Sequence, residues 1–269
     1  MPFDNLNEAC HALLLSAVAT LNETKLRYVV AGGWVPLLIE PDHPDLVHPG
    51  TRDVDVLMID ELNAVQAATQ ALLDKRFRPS AKHEFQLLRD AAVGTREFVF
   101  NIDLMHPYEA GDTPQMFNDI FDLGVDDAYD HRGSRFAKSI GFRSAAIVYE
   151  ENLFSTVSVT GVDLDGEPAA HKVPILNATA FILSKCESVS TPKRTRDAFD
   201  IYYMISGKNG ANHTAELCSL AARFAQVDEQ VEHLRGFLRN NPDKFNKNVS
   251  MHAGRFVENA AKDCLEALS

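Results

Sequence analysis

The spacing of apolar residues changes near Asn177, and that change constrains the fold more than any other feature of the chain. From Asn177 to the C-terminus, apolar residues recur at intervals of three and four, as in helices that bury one face. Before it, short β-branched or alternating runs are interleaved with helical ones, which predicts a sheet carrying helices. The chain therefore reads as an α/β region followed by a helical region, with the division near 170–177.

The elements that place the chemistry follow from the same patterns. Asp4 to Leu26 has apolar residues at helical spacing and predicts an amphipathic helix. Arg27 to Ala31 is a short β-rich run ending at Gly32 and Gly33, and Trp34 to Glu40 predicts a short helix with Pro36 in its first turn. Residues 41–50 hold four prolines or glycines and predict a loop. Asp53 to Ile59 predicts a strand, and Asp60 an N-cap for a helix to about Lys75. Strands are expected over His83 to Arg89 and Glu97 to Met105, a short helix near Gln115 to Leu123, and β-rich structure from Ala145 to Val162. Beyond Asn177, itself an expected N-cap, helices are predicted to Val189 and over Lys193–Ile205, 212–226, 228–240 and 251–267.

Charge narrows the partners. The 269 residues carry a formal net charge of −12, and 45% of them are hydrophobic, ordinary for a globular chain. Residues 1–184 hold 14 Lys and Arg against 27 Asp and Glu, whereas residues 185–269 hold 12 against 11. Such an acidic chain is ill suited to a broad phosphate-binding footprint, which leaves a local basic patch in the last third as the route to nucleic acid. An acidic first region suits bound metal cations or a cationic substrate. No apolar run approaches the roughly 18 residues of a membrane span, and the N-terminus lacks the pattern of a signal peptide. Four scattered cysteines with no CxxC pair read as reduced thiols, and the expected location is cytoplasmic.

Three features of the first region carry chemistry. Gly32 and Gly33 stand between a strand and a helix, where a close backbone approach and free N–H groups suit a triphosphate. Asp53 and Asp55 lie two apart on a strand, on one face and about 7 Å apart. At that distance two carboxylates repel by about 2.4 kcal/mol at an effective dielectric of about 20, and apolar Val54, Val56, Leu57, Met58 and Ile59 argue for burial. A buried strand with two acids on one face calls for a divalent cation, and Mg²⁺ favours carboxylates together with substrate phosphates. Asp103, between apolar neighbours on another expected strand, would complete the metal set if the two strands are adjacent.

Gly32-Gly33, Thr51-Arg52-Asp53-Val54-Asp55 and the later Asp103 resemble the polymerase-β nucleotidyltransferase superfamily, with a longer interval between the glycines and Asp53 than that superfamily usually shows. A second stretch, Lys185 followed by Arg196-Asp197-Ala198-Phe199-Asp200-Ile201-Tyr202, is similar to the signature of AbiEii toxin-like nucleotidyltransferases. The resemblance implies an α+β fold: a nucleotidyltransferase mixed sheet with flanking helices over residues 1–172, then a helical C-terminal domain over 173–269. It implies Mg²⁺ held by Asp53, Asp55 and Asp103, nucleotide contacts from Gly32, Gly33, Thr51, Lys185 and Arg196, and Asp197 as a further catalytic acid supported by Asp200. It also implies transfer of NMP from an NTP to an acceptor, either RNA such as tRNA or a small cationic molecule of the aminoglycoside kind, and an antitoxin partner. A non-catalytic binding module of the same fold is the alternative from a different class.

The residues of the second stretch support this reading independently. A helical Lys can hold a phosphate as a mobile charge and Arg can hold one bidentately, while Asp197 and Asp200 share a helix face and can orient an arginine. Lys193, Arg194 and Arg196 form the basic concentration of the last third. His43, His48, His106 and His131 fall in expected loops without metal-binding spacing, His106 alone closely following an expected ligand. Asp122 to Asp130 lacks the ligand spacing of an EF-hand, and no GxSxG, GxGxxG or P-loop pattern occurs.

Overall fold

A computed structural model describes residues 2–59, 62–107, 117–122 and 136–269. Asn5 starts the first helix, α1 (Leu6–Glu23), by accepting a hydrogen bond from the Glu8 N–H, so the expected start at Asp4 moves inward. Ten residues of α1 are buried, around more of its circumference than an amphipathic stripe, because Ala9, Ala12 and Ala17 allow close approach. There follow β1 (Tyr28–Ala31), α2 (Trp34–Ile39), β2 (Asp53–Met58), α3 (Leu62–Asp74), β3 (Arg78–Pro79), β4 (Gln86–Val93) and β5 (Arg96–Pro107). The proposed cap at Asp60 lies outside the described residues. Next come β6 (Phe117–Asp122), β7 (Phe136–Phe142), α4 (Ala145–Glu150), β8 (Phe154–Val162) and β9 (Pro168–Leu176). The C-terminal helices are α5 (Ala178–Lys185), α6 (Thr195–Ser206), α7 (Gly210–Arg223), α8 (Ala225–Asn240), α9 (Pro242–Ala253) and α10 (Ala260–Ala267), with a 3-10 turn at Ser188–Ser190.

The architecture is α+β, and the sheet is mixed. Its main path runs β3-β4-β5-β2-β1-β9-β8, with β7 joined to the end of β5 and β6 to β7. The β2–β5, β1–β9 and β5–β7 pairs are parallel, whereas β1–β2, β3–β4, β4–β5 and β6–β7 are antiparallel.

Several expectations are corrected. Phe117–Asp122 is a strand where a helix was expected, since its backbone pairs antiparallel with β7, a partner the local pattern does not reveal. Ala145–Glu150 is helical despite Ile147, Val148 and Tyr149, because burial of Ala145, Ile147 and Val148 overrides β propensity. The helix expected over 251–267 is two helices. Gly254, at φ +64°, ends α9 in the left-handed conformation, and Pro242 starts it.

The chain divides into two compact units. One comprises Met1–Gly32, Thr51–Tyr149 and Phe154–Ile175, and contains the sheet against which α1 packs. The other comprises Gly33–Gly50, Glu150–Leu153 and Leu176–Ser269, so residues 33–50 belong with the C-terminal helices. In this second unit Asn177 caps α5 through the Ala180 N–H, as its sequence position predicts. Loop 41–50 is held there too: Tyr203 donates to the Glu40 carbonyl (2.9 Å), and His43 accepts from the N–H groups of Asp45 and Leu46. Among the described residues no helix is long and apolar enough to cross a membrane.

Candidate metal centre

Strand register builds the first cluster. Val54 and Val56 on β2, and Ile102 and Leu104 on β5, are buried, so the alternate residues Asp53, Asp55, Asn101 and Asp103 share the opposite face. The parallel β2–β5 pairing sets Asp53 opposite Asn101 and Asp55 opposite Asp103. A slip of one residue would turn the carboxylates into the core, so the apolar alternation itself locks the site. The result is that one carboxylate oxygen from each of Asp53, Asp55 and Asp103 lies within 4.8 Å of those of the other two, all three side chains being half-buried. The third acid therefore joins the pair that the sequence pointed to.

Neighbouring polar groups orient this cluster. Thr51 Oγ1 donates to Asp53 Oδ1 at 2.6 Å, so its hydroxyl acts on a carboxylate of the cluster. The antiparallel β4–β5 register brings Gln86 opposite Asp103, and Gln86 Nε2 donates to both its oxygens, at 3.0 and 3.3 Å. The amide of Asn101 donates to Asp103 as well. Sequence reasoning missed Gln86 and Asn101. For Asn101 a signal existed, because it precedes Asp103 by two and so shares its face.

Gly32 also shapes the cluster. Its φ is +65°, and a Cβ at this position would stand 1.7 Å from Asp55 Oδ2. The Asp55 carboxylate thus occupies the space a side chain at position 32 would fill, and only glycine fits. Gly33, in a right-handed conformation, immediately precedes the six-residue α2.

The donor set fits a hard divalent cation. At 4.8 Å each carboxylate pair repels by about 3.5 kcal/mol at an effective dielectric of about 20, before screening of these half-exposed groups. Amide and hydroxyl donors offset part of this. Oxygen-only ligands with no Cys or His among them match Mg²⁺ rather than a softer metal.

The second unit gathers the other stretch singled out in the sequence. Lys185 Nζ sits 2.8 Å from Asp197 Oδ1 and 3.5 Å from Asp200 Oδ2, and Ser188 donates to Asp197 Oδ2 at 2.6 Å. Arg196 Nε reaches Asp200 Oδ1 at 3.4 Å. His48, which its loop position gave no reason to single out, joins them. The Gly50 N–H donates to its Nδ1, so the ring proton lies on Nε2 and is donated to Asp200 Oδ1 at 3.3 Å. Both side chains are only 2% exposed. Burial, with the charges of Arg196, 3.1 Å from Nε2, and Lys185, holds the His48 pKa below the usual value despite the opposing Asp200. Burial alone would raise the Asp200 carboxyl, but the His48 hydrogen bond and the charges of Lys185 and Arg196 hold it down at about 2.

The other histidines play local parts. His43 is hydrogen-bonded to Ser206 (3.1 Å), and His106 to Ser139 (2.9 Å). His131 and most of the acidic run 122–130 lie outside the described residues.

No family model matches the chain, and no curated protein matches it. Among solved structures it is similar to the crystal structure of JHP933 from Helicobacter pylori, with 14% identity, 96% of this chain and 88% of that one covered, and a TM-score of 0.46. A likeness of that degree assigns neither fold family nor function.

Proposed function

We propose that the protein is a Mg²⁺-dependent nucleotidyltransferase with a polymerase-β-type sheet, which moves NMP from an NTP to an acceptor hydroxyl. The supporting observation is the convergence of Asp53, Asp55 and Asp103 from two neighbouring parallel strands. In this reading the acceptor oxygen forms a bond to the α-phosphorus, the bond to the β-phosphate oxygen breaks, pyrophosphate leaves and the hydroxyl proton is lost.

Asp53, Asp55 and Asp103 would hold Mg²⁺, which when bound supplies positive charge to offset that of the triphosphate. Thr51 fixes the rotamer of Asp53, and Gly32 leaves room for Asp55. Asp103, held by the amides of Gln86 and Asn101, would orient the acceptor hydroxyl. Lys185 and Arg196 are the proposed phosphate contacts of the second unit, with Asp197 and Asp200 orienting them.

The test is incubation with each α-labelled NTP, Mg²⁺, and either total tRNA or a panel of aminoglycosides. Label transferred to one acceptor class and lost in Asp55→Ala supports the reading and names the acceptor. No transfer from any NTP to either class rejects it.

A further inference from the structure

We propose that β8 is a docking edge for a second copy of this chain, the two β8 strands pairing antiparallel about a twofold axis so that one sheet continues into the other. This surface is separate from the carboxylate cluster and does not depend on the proposed reaction.

A strand at the end of a sheet presents unpaired N–H and C=O groups, and proteins blunt such an edge with brevity, charge, proline or cover. Most edges of this sheet are blunted in these ways. β3 is two residues long, and one of them is Pro79. Beyond it Phe3 covers β4: its N–H donates to the Ala92 carbonyl (2.9 Å), and its carbonyl accepts from the Gly94 N–H (2.8 Å). β6 carries Asp119 and Asp122. β8 has none of these devices. It ends the path of the sheet and runs for nine residues, Phe154 to Val162, without a charge or a proline.

The hairpin register shows which groups of β8 face outward. At its turn the Asp163 N–H donates to the Glu167 carbonyl (2.9 Å), so the odd-numbered residues of β8 bond to β9. The even-numbered ones, Phe154, Thr156, Ser158, Thr160 and Val162, turn their N–H and C=O groups away from β9. By the same parity Pro168, Lys172 and Pro174 of β9 face away from β8. The prolines have no N–H to leave unpaired there, and the Lys172 carbonyl accepts from Asn22 Nδ2 (3.3 Å), so the far edge of β9 is tended. Among the described residues, no strand pairs with the outward edge of β8. Helix α1 leaves it open as well, because α1 lies against the odd-numbered face, where a Cβ at Gly161 would stand 2.9 Å from the His11 ring.

The chemistry of this edge selects a second β8. Two copies of a chain of net charge −12 repel unless the surfaces that meet are neutral, and β8 is neutral. Antiparallel pairing centred on Ser158 sets that residue opposite its own copy, Thr156 opposite Thr160 and Phe154 opposite Val162. Thr–Thr and aromatic–β-branched pairs are favourable across strands, and Val162, 43% exposed, gains cover from the partner's Phe154. Five outward residues on each strand would exchange about ten backbone hydrogen bonds. With the other edges blunted, growth closes at two copies.

Sedimentation velocity of the full chain from about 1 to about 300 µM tests this, the range suiting a small and therefore weak interface. A shift with concentration from monomer to dimer, and no further, is expected. Ser158→Lys sets two ammonium groups opposite one another and should weaken the dimer about fivefold, as should Ser158→Glu, whereas an equimolar mixture of the two should associate at least as tightly as the wild type. Cross-linking under copper phenanthroline reads the register. Opposite Cα atoms lie about 5.5 Å apart, within reach of a disulfide, so Ser158→Cys should cross-link between subunits above the wild-type background. The cysteines of Thr160→Cys would stand about 14 Å apart and should not. Both positions are exposed, so these variants fold. A protein monomeric at every concentration, a dimer indifferent to the charge at position 158, or equal cross-linking of the two cysteine variants would overturn the proposal; the first result would leave the edge to a strand of another protein.

Discussion

Gly32→Ala separates a backbone effect from a site effect, because Gly94 supplies a matched control. Both glycines adopt left-handed backbone, φ +65° at Gly32 and φ +57° at Gly94. An alanine in that conformation costs about 1–2 kcal/mol. For a chain of this size this lowers Tm by roughly 2–8 °C. The two positions differ in what a Cβ meets: nothing within 4 Å at Gly94, but Asp55 Oδ2 at 1.7 Å at Gly32. Ordinary contact requires a further ~1.5 Å, so the Asp55 carboxylate must swing away from Asp53 and Asp103. Thermal unfolding with and without 10 mM Mg²⁺ reads both effects. If that concentration is tenfold above Kd, the wild type gains about 1.4 kcal/mol, a rise of roughly 3–6 °C. Gly94→Ala should be destabilised yet keep this gain, whereas Gly32→Ala should be destabilised and lose it. A full Mg²⁺ response in Gly32→Ala, or its loss in both variants, refutes the reasoning.

Other consequences are equally accessible. Asp103→Asn removes one charge from the cluster and should raise Tm without metal while abolishing the Mg²⁺ response; a lower Tm would mean that the hydrogen bonds to Asp103 outweigh carboxylate repulsion. Lys185→Ala leaves Asp197 and Asp200 buried without their shared cation and should cost about 3–5 kcal/mol in urea unfolding; a loss below about 1 kcal/mol would contradict a structural pairing. The Asp200 carboxyl is held below its unfolded value of 3.8, at about 2, so it stabilises the fold above pH 4, and that contribution is lost as pH falls through about 2. The loss, of order 2 kcal/mol, should be absent in Asp200→Asn when unfolding is followed from pH 5 to pH 2. Burial raises the thiols of Cys10 (to about 11), Cys186 and Cys264, whereas Cys218 is half-buried; a thiol reagent should label Cys218 alone in the native protein, and equal labelling of all four would oppose the packing.

Features written in local pattern were legible in the sequence. The alternation through Asp53–Met58 revealed both the strand and the shared face of its acids, and Asn177 announced a helix start. Contacts between distant segments were not legible. Nothing near Gln86 says that register will set it against Asp103, and nothing near His48 says that a residue 152 positions later will bury it. Gly32 was readable as a glycine that permits close approach, but that Asp55 is the group standing where its Cβ would be was not. Ala145–Glu150 and Phe117–Asp122 were misassigned because tertiary partners outweigh the propensity of six residues. The break at Gly254 stood in plain view, and the helical spacing around it concealed it.

Divalent-ion binding followed by Mn²⁺ electron paramagnetic resonance tests the carboxylate site most directly. The wild type should take up Mn²⁺ that Mg²⁺ displaces, and the near-isosteric variant Asp53→Asn/Asp55→Asn/Asp103→Asn, folded by circular dichroism, should take up none at that site. Equal Mn²⁺ uptake by both proteins would contradict the assignment of these three carboxylates as a metal centre.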